Sequence, residues 1–166
     1  MKKNAHKIIE AWFWDLISEC SPSLKYLEEQ LESFSEEKLK KYLMYWDISS
    51  RALCAPWDGP YIDDEIEQLS EDSTEELTDW IVSQGKSAWE YALRNPDQLS
   101  ELFCISNGNG KSKEFETTLW NTKVSKKNHI GFQSPKDIAI IIIEELFEED
   151  YWDFREEYFE KYQLND

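Results

Sequence analysis

An all-α fold, a single compact domain over residues 1–166, is what this sequence predicts, and three observations predict it. Apolar side chains recur at spacings of three and four along most of the chain, which lines one face of a helix. Serine–acid and serine–proline signals stand where those stripes begin, as helix starts require. Apolar residues make up 40% of the chain and aromatics 14%, enough for a packed core despite a charged content of 32%. The chain shows no internal repeat or low-complexity tract, and its length suits one domain with a sizeable core.

Taken in order, Ile8, Ile9, Trp12, Phe13, Leu16 and Ile17 form one helical face, interrupted by Pro22 and its flanking serines. Leu24, Leu27, Leu31 and Phe34 form a second stripe. Ser35 reads as an N-cap, with Glu36 and Glu37 in the first turn where the helix dipole favours acids. Leu39, Leu43 and Trp46 carry the third helix, as far as Cys54, before the rigid turn Pro56-Trp57-Asp58-Gly59-Pro60. Residues 61–70 read as a short helix or an ordered acidic loop. Ser73 with Glu76 fits a capping box, opening a helix through Leu77, Trp80 and Ile81. Gly85 either ends that helix or permits close packing within it, ahead of Ala88, Trp89, Ala92 and Leu93. Pro96 opens a short helix through Leu99 and Leu102.

Residues 103–134 form a polar insertion. From residue 106 onward they read as a long loop, or a short hairpin over Phe115–Val124. Its five lysines against Glu114 and Glu116 make it the one basic section, able to fold back on an acidic surface. Ser134-Pro135 then opens a single long helix over 135–163, with Ile140, Ile143, Phe147, Tyr151, Phe154, Tyr158 and Tyr162 on one face. Ile138–Ile143 is apolar all round, which predicts the central buried helix.

Charge is the most informative feature for function. The net charge is -17, from 35 acidic and 18 basic side chains. Nine carboxylates and no Lys or Arg lie in 61–79, and nine more in 144–160 are opposed only by Arg155. Such a field repels nucleic acid and anionic membranes and attracts basic partners. The longest apolar run, Ile138–Ile143, is far too short to span a bilayer, and the basic N-terminus leads into an amphipathic pattern rather than a signal peptide. Cys20, Cys54 and Cys104 are odd in number, far apart and in apolar contexts, which reads as reduced core thiols in a cytoplasmic protein.

The motifs for chemistry are weak. Gly108-Asn109-Gly110-Lys111-Ser112 lacks the first glycine of a phosphate-binding loop, since Ile105 occupies that position. His6 and His129 are isolated, no Cys pair has zinc spacing, and Asp63-Asp64-Glu65 lacks the alternating oxygens and glycine of a calcium loop. No cofactor, no metal site and no catalysis are expected. Acids interleaved with rings are more telling. Rings supply buried contact area at interfaces, while carboxylates steer and pair with Lys or Arg. The first predicted partner face is Trp57, Asp58, Tyr61, Asp63, Asp64, Glu65, Glu67, Glu71 and Asp72. The second is Glu149, Asp150 and Asp153 on the C-terminal acidic helix.

Phe13-Trp14-Asp15-Leu16-Ile17, Ser70-Glu71-Asp72, Trp80-Ile81-Val82-Ser83-Gln84-Gly85 and Ala92-Leu93-Arg94-Asn95-Pro96-Asp97-Gln98-Leu99 occur in that order. Together they resemble a bacterial family of unknown function over residues 12–102. The resemblance implies an all-helical cytosolic fold without an established activity. Pro56–Pro60 and the chain after residue 105 depart from its pattern. By type, a small, strongly acidic protein also resembles immunity proteins, which neutralise a toxin, often a basic nuclease. The function expected is therefore a non-catalytic inhibitor that binds a basic toxin domain. A nucleic-acid mimic ranks lower, because its carboxylates would follow a ridge at phosphate-like spacing of roughly 7 Å, whereas these bunch in two blocks. A housekeeping adapter or regulator is the third reading and an enzyme the fourth.

Overall fold

The computed structural model describes residues 2–53, 61–62, 65–66, 69–99, 103–106, 109–112, 120 and 134–162. The fold is carried by helices: α1 (Lys2–Ile8), α2 (Ala11–Cys20), α3 (Leu24–Glu32), α4 (Glu36–Leu53), α5 (Glu71–Ser83), α6 (Lys86–Arg94), α7 (Pro135–Phe147) and α8 (Tyr151–Tyr162). A 3-10 turn, Pro96–Gln98, follows α6. Two small antiparallel ladders join the helices. β1 (Tyr61–Ile62) pairs with β2 (Glu65–Ile66), Tyr61 opposite Ile66. β3 (Phe103–Ser106) pairs with β4 (Asn109–Ser112), Phe103 opposite Ser112.

The first apolar stripe is divided between α1 and α2 at Glu10, whose backbone is extended. Its carboxylate accepts hydrogen bonds from Trp12 Nε1 at 3.0 Å and the Tyr45 hydroxyl at 2.6 Å. That tertiary anchor takes precedence over helix continuity. Ser35 caps α4 through the Lys38 amide, as the serine signal there predicts, and Ser23, expected only to interrupt the stripe, caps α3 through the Tyr26 amide. The peptide between Ser21 and Pro22 is cis.

The central helix is α4 rather than the isoleucine-rich segment. Every residue from Tyr42 to Ser50 is buried, and α4 packs against α1, α5, α6 and α7. Its polar members hid this in sequence, but each has an internal partner. Ser49 donates to the Tyr45 carbonyl, the Ser50 and Thr78 hydroxyls meet at 2.7 Å, and Asp47 is held by groups described below. In α7, Ile138, Ala139, Ile142 and Ile143 are buried against α3 and α4, while Ile140 and Ile141 are only partly covered.

Residues 61–62 and 65–66 are strands, not a short helix. The Ile66 amide donates to the Thr74 hydroxyl and so ties β2 to α5. Helix α5 begins earlier than the Ser73 box predicts. Ser70 is the cap, accepting from the Ser73 amide at 3.3 Å, and Glu71 and Asp72 occupy the favoured first turn. Gly85 ends α5. Its φ of +97° is costly for other residues, and a Cβ there would meet nothing within 4 Å, so conformation rather than packing requires the glycine.

The hairpin of the polar insertion forms at 103–112. The alternative at 115–124 lies outside the described residues, Trp120 excepted. Trp120 is buried and donates its indole N–H to the Ser83 carbonyl at 3.1 Å. Asn109–Ser112 being a ladder strand, Gly110-Lys111-Ser112 does not have the strand–loop–helix setting of a phosphate cradle. Lys111 lies on that strand, while Lys113, Lys123, Lys126 and Lys127 fall outside the described residues.

The predicted single helix over 135–163 is two helices. Ser134 and Asp137 form a reciprocal capping box that starts α7, with Pro135 in its first turn. Glu148 ends it in the left-handed conformation, φ 54° and ψ 27°. Asp150 then starts α8 by accepting from the amides of Trp152 at 2.8 Å and Asp153 at 3.4 Å. Apolar spacing continues through this elbow because both helices turn an apolar face inward, aliphatic in α7 and aromatic in α8. Tyr151, Phe154, Tyr158 and Phe159 are all buried. Among the described residues no helix is long and apolar enough to cross a membrane.

Candidate partner-binding face

Two acids of the first block, Glu75 and Asp79, meet Asp47 of α4 around one buried cation. Lys136, in the first turn of α7, is 6% exposed. Its ammonium lies 3.2 Å from Asp47 on α4, 3.4 Å from Asp79 on α5 and 3.5 Å from Glu75, one turn back on α5. Helix α8 closes over the same point. The Tyr151 hydroxyl donates to both oxygens of Asp47, at 2.9 and 2.7 Å, and the Tyr158 hydroxyl donates to Asp47 Oδ2 at 2.5 Å. Arg155 Nε lies 3.6 Å from that oxygen, and its guanidinium sits over the rings of Tyr151, Trp152 and Phe159. Asp79 also accepts from the Trp46 indole at 3.0 Å.

This is a polar lock joining α4, α5, α7 and α8. Asp47 is 2% exposed, so an unpaired charge there would be very costly, and four side chains converge to satisfy it. Burial pushes Asp79 up to about 6, helped by the negative charges of Asp47 and Glu75 and opposed by Lys136 and Ser50. Burial alone would lower Lys136, but Asp79, Asp47 and Glu75 outweigh it and raise the ammonium above its ordinary value. Burial, then Asp47, raises both tyrosines well above the usual phenol range.

Outside the lock the surface is acidic. Glu71, Asp72, Glu75 and Glu76 are exposed on the first two turns of α5. On α8, Asp153, Glu156, Glu157 and Glu160 are exposed, and Trp152 stands among them with 57% of its surface open. Glu149 pairs with Lys40 at 3.3 Å at a half-buried position, and Asp150 is a helix cap, so these two predicted contacts also have structural roles. Asp79, counted in the first acidic block, points into the lock. Tyr61 and Glu65 are ladder residues. Trp57, Asp58, Asp63, Asp64 and Glu67 lie outside the described residues.

Sequence reasoning missed Asp47, Lys136, Tyr151, Arg155 and Tyr158 as a unit. Two signals were available. Asp47 interrupts an apolar run in α4, and Lys136 sits between a Ser-Pro cap and six apolar residues. Cys20 is buried, which pushes its thiol up to about 11 and makes it a poor nucleophile. A shallow groove of about 640 Å3 runs between the start of α4 and α8, lined by Met44 and Tyr158 among others and by the Lys40–Glu36 pair, 2.8 Å apart. Among the described residues no three His, Cys, Asp or Glu side chains gather as a metal site.

Fold and site define a helical protein with an acidic outer face pinned over a buried acid–tyrosine–lysine lock. The chain belongs to the family DUF4240, described as proteins of unknown function, whose model matches residues 7–123. The match extends the resemblance expected over 12–102 to include β3, β4 and Trp120. It contains Asp47, Glu75 and Asp79, whereas Lys136, Tyr151, Arg155 and Tyr158 come from beyond it. No curated protein and no solved structure matches the chain.

Proposed function

We propose that this chain is a non-catalytic cytoplasmic binding protein that holds a basic protein domain against its acidic face, as an immunity protein holds its toxin. One observation carries the reading: Trp152 is exposed amid Asp153, Glu156 and Glu157 on a helix whose inner side is firmly locked. An exposed ring on a rigid element suits an anchor, and surrounding carboxylates suit steering of a Lys- or Arg-rich surface. The acidic start of α5, with Glu71 and Asp72, supports the same attraction. The sequence-predicted contacts Trp57, Asp58, Asp63 and Asp64 have the same ring-and-carboxylate chemistry. Family membership alone favours a housekeeping adapter; a partner that is not toxic in the protein's absence would decide for that reading.

The test begins with capture of the partner from the source lysate at low salt, followed by association kinetics with the purified protein. Trp152→Ala should weaken binding about tenfold or more, as loss of a hot-spot ring does. Neutralising Asp153, Glu156 and Glu157 together should slow association about tenfold at low salt and little at high salt. A partner that is not basic, or an association rate indifferent to both changes and to salt, would refute the proposal.

A further inference from the structure

Lys136 provides one ammonium for three carboxylates. Asp47 and Asp79 approach it from different helices, and Glu75 caps the arrangement from the surface, itself 51% exposed. With all groups ionised, three negative charges face Lys136 and Arg155, leaving one in excess in a site largely closed to water. Two neighbouring acids in such a site do not both ionise freely, and the acid with fewer donors takes the proton. Asp47 is met by Tyr151, Tyr158, Arg155 and Lys136. Asp79 has Lys136, the Trp46 indole and the nearby Ser50 hydroxyl.

We infer that Asp79 is a buried proton switch, which exchanges its ion pair with Lys136 for a proton while Asp47 keeps its hold on α8. The oxygens divide the work. Oδ1 accepts from the Trp46 indole, and Oδ2, which faces Lys136, is the one free to become O–H. The proton comes from solvent rather than from Lys136, whose ammonium is held by the surrounding acids. Asp79 is 16% exposed, which gives water a route. The charged and hydroxyl groups that act on it are, by element, Asp47 and Ser50 on α4, Glu75 on α5, Lys136 on α7 and Tyr151 on α8. Uptake of one proton balances the lock, and Lys136 is then shared between Asp47 and Glu75. The Asp79 arm of the link between α5 and the first turn of α7 therefore changes from an ion pair to a neutral contact under mild acid, while Glu75 keeps the outer arm ionic. The burial that pushes Asp79 up to about 6 agrees with this geometry.

The test is an NMR titration of the full chain, following the Asp79 carboxyl carbon and the Trp46 indole N–H together. Both should titrate with one midpoint near 6, the indole proton moving upfield as its acceptor becomes a neutral acid. Asp79→Asn should abolish the indole shift, and Asp47→Asn should lower the Asp79 midpoint by about one unit or more by removing the neighbouring negative charge. An Asp79 carboxyl that titrates in the ordinary range near 4 in the unaltered protein would overturn the inference without any variant. A midpoint unmoved in a folded Asp47→Asn protein would overturn the pairing.

Discussion

Replacing Lys136 with Met tests the lock most directly, because the side chain is buried and two acids depend on it. The cost divides between those acids. At about pH 8 Asp79 is ionised in the native protein, its pKa being about 6. Without the ammonium it would be driven to take up a proton, and neutralising it two units above its pKa costs at most about 3 kcal/mol. Asp47 still has two tyrosine hydroxyls and Arg155, so its share is smaller, roughly 1–2 kcal/mol against the 3–5 typical of a stranded buried charge. The expected loss is therefore about 4 kcal/mol at about pH 8, a large part of an ordinary domain's stability. At about pH 5 Asp79 is already protonated, and the loss should fall to about 1–2 kcal/mol. Urea unfolding of the full chain at both pH values measures this, urea being uncharged and leaving the ion pairs unscreened. Asp79→Asn in the Lys136→Met background should recover about 2 kcal/mol at the higher pH. A loss equal at both pH values, or below about 1 kcal/mol at about pH 8, would refute the shared-cation account.

Three further outcomes are expected. Tyr151 and Tyr158 keep their protons to higher pH when folded than when unfolded, so their contribution is complete below pH about 10 and lost as pH rises above it. The unfolding free energy should fall by up to about 1.4 kcal/mol per pH unit for each group there, and Tyr158→Phe should flatten the slope. Gly85→Ala should cost about 1–2 kcal/mol despite the open space, because φ is +97°, while Glu148→Gly should gain up to about 1 kcal/mol by relieving a left-handed position; urea midpoints read both. Trp152→Ala should leave the urea midpoint within about 0.5 kcal/mol of the unaltered protein, since the ring is mostly in solvent, even where it weakens partner binding.

Local interactions made much of this protein legible in its sequence. The stripes of α2 and α3, the Ser35 cap and the Ser134-Pro135 start depend on residues within a turn or two, and they are where the sequence places them. Net charge and the two acidic blocks are likewise properties of composition. Boundaries failed where a tertiary contact or a backbone reversal outweighed a continuous pattern. Glu10 divides the first stripe because Tyr45 holds its carboxylate, and Glu148 divides the last one because its left-handed backbone ends α7 while apolar spacing carries on into α8. The identity of the central helix and the existence of the lock were decided only by the tertiary structure. Asp47, Ser49 and Ser50 look like the outer face of α4 until their partners are known, and those partners come from as far away as Tyr158. A buried charge is tolerable only where a distant chain segment neutralises it, and spacing along the chain carries no record of which segments meet.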